Sequence, residues 1–379
     1  MIRNSKKQLC WAILGGGNGG QSIAGHLGLM GFPVKIYDIF PKTIDAIQAQ
    51  GGIHVTGEVE GFGPVELATT DISEAIHDVD LVMIVAPATA HCDIAKNCAP
   101  WLNDGQVVFI HPGATGGALE FWNVLQKQGC QRDLVVGESN SLIYACRSPK
   151  PGYATIFGIK RELMAAALPS KETGRVVNML NTAFPQIYAG TNLLETSLSN
   201  PNAMMHPAPT LLNTSLIESG RDWLYYWDGI TPSIGTFVEK MDQERLAVAR
   251  AFGLDLPTIR KWYELAYNAS GETLSDAVKN NPAYAEVKGQ TTLLTRYILE
   301  DIPTGLVPII ELGQLLGIEV TRMETIVKLG AFLTGKDFHE TGRTLQNLGL
   351  AGMTANEILQ FLETGTHNLA KNASSIGRS

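Results

Sequence analysis

The chain has 379 residues, 45% of them hydrophobic and 17% charged, with a net charge of −8. That length exceeds one ordinary core and predicts two domains, while the negative balance excludes general attraction to nucleic acid or an anionic membrane surface. No run approaches the ~20 apolar residues of a spanning helix, and five cysteines without a CxxC pair or zinc spacing predict reduced thiols in a cytoplasmic protein.

The opening Met-Ile-Arg-Asn-Ser-Lys-Lys-Gln carries the charge of a signal n-region. The apolar stretch behind it, however, is the expected first strand and runs straight into a glycine turn, so cleavage there would destroy the fold. That turn, Trp11-Ala-Ile-Leu-Gly-Gly-Gly-Asn-Gly-Gly20, places GxGxxG where a strand should hand over to a helix. In a dinucleotide fold Gly15 permits the tight turn, Gly17 lets the backbone approach a pyrophosphate, and Gly20 lets the helix pack on the strand. The helix N-terminus adds unpaired N–H groups and partial positive charge.

A helix over 21–30 is followed by Val34-Lys35-Ile36-Tyr37-Asp38, a second strand ending in an acid roughly twenty residues past the turn, where a ribose-binding carboxylate belongs. Asp38 accepts hydrogen bonds from ribose hydroxyls and repels a 2′-phosphate, which favours NAD over NADP. Lys42, four residues on, softens that preference.

Alternation continues with a helix over 42–50, a strand over 65–68, a short helix over 72–77, and strands over 81–85, 107–110, 134–137 and 155–159. The run Leu81-Val82-Met83-Ile84-Val85 is apolar throughout, as in a strand buried on both faces of a parallel sheet. The pattern predicts a doubly wound parallel α/β sheet with right-handed crossovers. Ligands of such sheets bind beyond the carboxyl ends of the strands, so loops 86–91, 111–117 and 138–142 are candidate site loops, with Pro87 in the first.

From about residue 190 the character is helical, with segments expected over 207–220, 232–252, 257–268, 290–300, 308–317 and 321–332 and prolines at their starts or breaks. Two domains are expected, 1–190 and 191–363, followed by a disordered tail over 364–379 rich in Asn, Ser and Gly.

Among eight histidines, His206 stands out. It lies in Asn-Pro-Asn-Ala-Met-Met-His-Pro-Ala-Pro, bracketed by prolines at the expected domain junction, which argues against a periodic core position inside a helix. An imidazole there suits proton transfer coupled to hydride transfer. A lone histidine is more often structural, and His111 and His91, near strand ends, compete for the role. A second cluster, Arg296, Glu300 and Asp301, occupies a helix and its end. Arg can hold a carboxylate bidentately and Asp can orient an imidazole, but a solvated group of helix-end charges is the plainer interpretation.

The glycine turn, Gly137-Glu-Ser-Asn-Ser141 with Tyr144-Ala-Cys-Arg147, Asn200-Pro201 to His206-Pro207, and Arg296-Tyr297 with Glu300-Asp-Ile-Pro303 together resemble the opine dehydrogenases. That family includes the octopine and nopaline dehydrogenases and the bacterial carboxyethyl-norvaline dehydrogenase, and the resemblance spans roughly 9–360. It implies a Rossmann-type domain followed by an all-α domain related to the second domain of 6-phosphogluconate dehydrogenase.

Carried over residue by residue, His206 matches the catalytic histidine, Asp301 its partner and Arg296 a carboxylate-holding arginine. Glu138, Ser139 and Ser141 match a strand-end loop lining the substrate site. Gly15, Gly17, Asn18, Gly19, Gly20, Asp38 and Pro87 are the candidate cofactor contacts, and no metal is implied. Trp223, Tyr225, Tyr226 and Trp227 map onto no amine specificity; they wall an apolar pocket or belong to the core.

The implied reaction joins an amino acid or amine to an α-keto acid such as pyruvate through an imine that NADH reduces. The sequence leaves the oligomeric state open, a homodimer through the helical half being one option. Its rivals are an NAD(P)-dependent hydroxyacid dehydrogenase or ketopantoate-type reductase on the same architecture, and a non-catalytic NAD-binding protein.

Overall fold

The first strand, β1 (Trp11–Leu14), is buried along its whole length, and the chain turns at Gly15 into α1 (Asn18–Leu29) and returns through β2 (Val34–Tyr37). The computed structural model describes residues 8–366; residues 1–7 and 367–379, which include the signal-like start and most of the expected tail, lie outside the described residues. Then come α2 (Pro41–Gln50), β3 (Gly52–Gly57), β4 (Gly61–Pro64), β5 (Leu67–Thr69), α3 (Ile72–Ile76), β6 (Leu81–Ile84), α4 (His91–Cys98), β7 (Val107–Ile110), α5 (Gly117–Lys127) and β8 (Val135–Ser139). The series continues with β9 (Tyr144–Lys150), β10 (Tyr153–Ile159), β11 (Leu163–Leu168), α6 (Thr173–Leu180) and β12 (Ile187–Ala189).

Eight strands form one sheet in the order β12-β11-β8-β7-β6-β1-β2-β5. From β5 to β8 every pairing is parallel, with Leu14 opposite Tyr37 on one side and Ile84 on the other. β1, β6 and β7 are buried at every position, as strands covered on both faces must be. Their core centres on Trp11, against which Phe32 and Phe184 pack edge-on at centroid distances of 6.0 and 6.1 Å.

Two features differ from the expected parallel sheet. β11 runs antiparallel to β8, because the chain leaves β8, makes the β9–β10 hairpin and re-enters from the opposite end. The strand expected over 155–159 does not join the main sheet either. As β10 it belongs to a second sheet, ordered β4-β3-β10-β9, and its burial is broken and partial, as for a strand covered on one side.

The helical part comprises α7 (Leu193–Leu198), α8 (Pro201–Met205), α9 (Pro207–Leu212), α10 (Thr214–Glu218), α11 (Pro232–Ala251), α12 (Ile259–Tyr267), α13 (Leu274–Lys279), α14 (Arg296–Leu299), α15 (Val307–Leu315), α16 (Thr321–Thr334) and α17 (Ala355–Thr364). Thr231, Thr258 and Thr273 cap α11, α12 and α13 through their side-chain oxygens. The helix expected over 290–300 shrinks to α14, and the one expected over 207–220 is two short helices, broken where Asn213 leaves the helical region.

The described residues fall in two compact units. One lies within Met1–Gly113, Gly117–Thr196 and Phe361–Ser379, the other within Ala114–Gly116 and Ser197–Gln360. No helix among the described residues is long and apolar enough to cross a membrane.

Candidate active site

In the sheet-bearing unit the glycine turn is held from beneath. Gly15 has φ +119°, its N–H donates to Tyr37 O at 2.8 Å, and a Cβ there would fall 2.2 Å from Val85 O. A Cβ on Gly20 would fall 1.6 Å from Gly15 O, so α1 can sit this close to β1 only with glycine at that position. Gly17 differs: a Cβ there meets no atom within 4 Å, and its surface is open. No side chain caps the first turn of α1, whose N–H groups therefore face outward unpaired by any cap.

Asp38 is buried at the end of β2, where one carboxylate oxygen accepts the Gly16 N–H and the other accepts Phe40 N–H at 2.9 Å. It thus fixes the turn as well as offering further lone pairs. Ile39 and Phe40, directly after it, are large apolar residues left mostly exposed, a feature the sequence reading passed over. Gly19 is backed by Val85 and Leu142, Asn18 Oδ1 accepts Ser148 N–H at 2.8 Å, and Pro87 stands exposed just past β6.

Loop 138–142 needs correction. Glu138 and Ser139 lie inside β8 rather than in a loop, and both are fully buried. Glu138 accepts Ala118 N–H and the Thr196 hydroxyl, both at 2.8 Å, so this carboxylate holds the first turn of α5.

Ser139 belongs to a chain that fixes His111. Ile143 N–H donates to His111 Nε2 at 3.2 Å, which puts the ring proton on Nδ1; Nδ1 donates to Ser139 Oγ at 2.6 Å, and Ser139 donates to Ser141 O at 3.0 Å. Burial, reinforced by the Lys160 charge, pushes His111 down to about 3, so it is a neutral structural ring. His91 is wholly buried at the start of α4, with Nε2 3.3 Å from Ala86 O.

In the helical unit Pro201 opens α8 after the Asn200 cap, and Pro207 opens α9 with a single residue between the two helices. His206 is the joint between them: its N–H donates to Asn202 O, and its carbonyl accepts Thr210 N–H and the Tyr225 hydroxyl. Asp301 follows α14 and precedes a π-helical turn, Ile302–Leu306. At this crossing a Cβ on Gly305 would come within 3.1 Å of the Ala203 Cβ, so two small residues let α8 and the π turn meet closely.

There His206 Nδ1 lies 2.7 Å from Asp301 Oδ2, with side chains 8% and 2% exposed. The carboxylate can only accept, so Nδ1 carries a proton and Nε2 is left without a protein partner among the described residues. Tyr297 stacks flat on the imidazole, with centroids 3.8 Å apart and planes 10° apart. One residue before it, Arg296 is 57% exposed, and its Nε is 3.6 Å from Glu300.

Trp223, Tyr225 and Tyr226 are core: Tyr225 packs edge-on to His206 and Tyr297, and burial pushes the Tyr225 and Tyr226 hydroxyls well up. Trp227 is half exposed. Tyr297 was quoted in the sequence motif without a role; its place beside Arg296 was the available signal.

A family model for the α-helical domain of NAD/NADP octopine/nopaline dehydrogenase matches residues 189–334, and one for the N-terminus of NAD-dependent glycerol-3-phosphate dehydrogenase matches 11–115. An opine dehydrogenase of Arthrobacter sp. (strain 1C) is 42% identical over 354 residues, covering 93% of this chain and 98% of that protein. This chain belongs to the opine dehydrogenase family. It is therefore a member of a family of NAD-dependent oxidoreductases acting on secondary amines.

The opine dehydrogenase fold is also matched by the solved octopine dehydrogenase with NADH and L-arginine, at a TM-score of 0.78 and 20% identity over 95% of this chain and 98% of that one. Yersinopine dehydrogenase with NADP+ bound gives a TM-score of 0.71 at 16% identity, over 94% and 98%. The two family models, NAD-dependent over 11–115 and NAD/NADP over 189–334, make the first unit of this opine dehydrogenase family member a nicotinamide-dinucleotide domain; of the two solved neighbours, one holds NADH and the other NADP+.

Proposed function

We propose that the protein condenses an amino acid or amine with an α-keto acid such as pyruvate and reduces the resulting imine, with NADH preferred to NADPH, and runs the reverse oxidation. The observation that carries this reading is the buried His206–Asp301 pair with Nε2 unengaged, next to a half-exposed Arg296.

The residues present suit the dinucleotide. Gly17 is open where a phosphate would approach, the first turn of α1 is uncapped, and Asp38 has acceptor capacity for a ribose. Gly15, Gly17, Asn18, Gly19 and Gly20 would hold the pyrophosphate, Asp38 the ribose, and the exposed Ile39 and Phe40 would flank the adenine. Pro87 would line the same cofactor site. Bound there, the reduced cofactor supplies a hydride to the imine carbon. A carboxylate at Asp38 disfavours the extra phosphate of NADP, although Lys42 nearby is an exposed cation that moderates this.

The chain's own residues do the rest. Arg296 holds a substrate carboxylate bidentately. His206 Nε2 takes a proton from the incoming substrate ammonium and becomes imidazolium; after the freed amine has added to the keto carbonyl, Nε2 returns that proton to the departing hydroxyl of the carbinolamine, and water leaves as the protonated imine forms. Asp301 stabilises the imidazolium that these transfers create and keeps the ring in one tautomer. Five cysteines, none of them in a disulfide, fit residence in the reducing cytoplasm.

The test is NADH oxidation with pyruvate against a panel of amino acids and simple amines, with product mass measured. A strict need for both carbonyl and amine, and a product heavier by the joined keto acid, supports the reading. NADH consumption with keto acid alone would instead support a hydroxyacid or ketopantoate-type reductase.

A further inference from the structure

The sheet-bearing unit contains a desolvated cation that the reaction above does not use. Lys160 follows β10, and its ammonium donates to Leu142 O at 2.9 Å and to the Ser141 hydroxyl. Both partners are neutral, and among the described residues no carboxylate stands within ion-pair distance. Enclosure lowers Lys160 to about 8. A half-buried cation offered only neutral acceptors has lost part of its hydration without an opposite charge in return, and an anion beside it offsets that loss.

The surroundings are built rather than incidental. The loop 140–143 is pinned by the His111–Ser139–Ser141 chain on one side, and Leu142 lies against Gly19 at the start of α1 on the other. Ser141 spends an oxygen lone pair on Lys160 and keeps its hydroxyl proton to donate. In the same loop Asn140 Oδ1 is buried with no partner. Ser141 and Lys160 are each half-buried, so the pair reaches solvent.

Topology says which anion. Asp38 ends β2, and the sheet runs β8-β7-β6-β1-β2, so Lys160 and Ser141 sit at the β7–β8 side of the switch point, away from the ribose end. A dinucleotide laid across those strand ends brings its pyridine end toward β7 and β8. The anion arriving there is a substrate carboxylate rather than a phosphate. Reductive condensation yields a product with two carboxylates, and Arg296 provides for one.

We propose that Lys160 and Ser141 form the seat for the carboxylate of the α-keto acid. The seat rests on the reductive-condensation reading for its substrate, but its anion binding can be measured without turnover. The protein saturated with NADH is titrated with oxamate, an unreactive keto-acid analogue, by calorimetry, for wild type, Lys160→Met, Lys160→Arg and Ser141→Ala; NADH affinity is measured separately by fluorescence.

Loss of a charge-assisted contact should weaken oxamate binding about 30-fold in Lys160→Met and a few-fold in Ser141→Ala, with NADH affinity within about twofold and Lys160→Arg near wild type. Unchanged oxamate binding in Lys160→Met overturns the seat. So does a loss that appears in NADH affinity instead, which would give the cation to a cofactor phosphate. Should Lys160→Met fail to fold, Ser141→Ala decides by the same two readouts. Lys160-dependent oxamate binding in an enzyme that forms no secondary amine would leave the seat standing and defeat the condensation reading alone.

Discussion

Asp301→Asn isolates the electrostatic half of the site. The amide fills the same volume in a position 2% exposed, so packing against the π turn is retained while the negative charge 2.7 Å from His206 Nδ1 is removed. Counted between charge centres about 4 Å apart at an effective dielectric of about 20, the attraction of carboxylate for imidazolium is about 4 kcal/mol. If that stabilisation is present only when the ring is charged, its loss corresponds to about 10³ in kcat, inside the 10²–10⁴ typical of general acid–base help. The amide also presents N–H to Nδ1 and so favours the tautomer with its proton on Nε2, which adds to the loss in the base direction. Steady-state NADH oxidation with both substrates saturating reads kcat, and fluorescence reads NADH affinity. A kcat within threefold of wild type would refute the dyad. So would an equal fall in NADH affinity accompanied by a lower Tm, because the residue would then be structural.

His206→Ala should lower kcat by about 10²–10⁴ with NADH affinity retained, and full activity in that variant removes the imidazole from the chemistry. Two glycines should separate fold from cofactor. Gly17→Ala adds a methyl into open space and should leave Tm within a degree or two while weakening NADH binding; Gly20→Ala drives a methyl into the Gly15 carbonyl and should cost at least about 1–3 kcal/mol of stability, seen as a fall in Tm. A Gly17→Ala protein that binds NADH normally would take the pyrophosphate away from this turn. Glu138→Ala should destabilise by about 1–3 kcal/mol through the orphaned Ala118 N–H, with the KM values of the surviving enzyme unchanged; a selective rise in substrate KM would instead place Glu138 in the substrate site. Oxamate binding should also depend on pH. Lys160 is charged below its value of about 8, so binding is full below about pH 7 and falls as pH rises through 8, whereas Lys160→Arg stays flat; His111, held down to about 3, is neutral throughout, and the Ser139 and Ser141 hydroxyls facing it do not titrate.

Much of the parallel sheet was legible because its central strands are buried on both faces and so read as unbroken apolar runs: Leu81–Ile84 and Val107–Ile110 needed no context. The second sheet was not, for reasons visible in its residues. β4 is Gly-Phe-Gly-Pro, a composition that marks turns, and β9 carries Arg147, Ser148, Pro149 and Lys150 along its exposed half. β11, Leu-Met-Ala-Ala-Ala-Leu, is poor in β-branched residues, and its strand state is imposed by burial between β8 and β12. The helix expected over 290–300 failed because Thr291 and Thr292 stay in turns and Gly289 is held against Trp223, where any side chain would fall within 2 Å of the indole.

The residues of the candidate site were marked by a different signal from the fold, and the reason is physical. His206 and Asp301 both stand where a helix is interrupted: one at the joint between two proline-started helices, the other between α14 and a π turn. Inside a continuous helix an inward-facing residue lies on the packing stripe, where burial favours apolar side chains. At an interruption the backbone releases a carbonyl or N–H and turns a side chain off that stripe, which is where a buried polar pair can be placed and paired; π turns recur at functional sites for this reason. Periodicity is therefore silent at these positions while proline spacing speaks, which is why Asn200-Pro201 to His206-Pro207 pointed to the imidazole. Nothing comparable marks Lys160. It follows an ordinary strand, and its character comes from burial and from neighbours distant in sequence, Ser141 and Leu142, that only folding assembles.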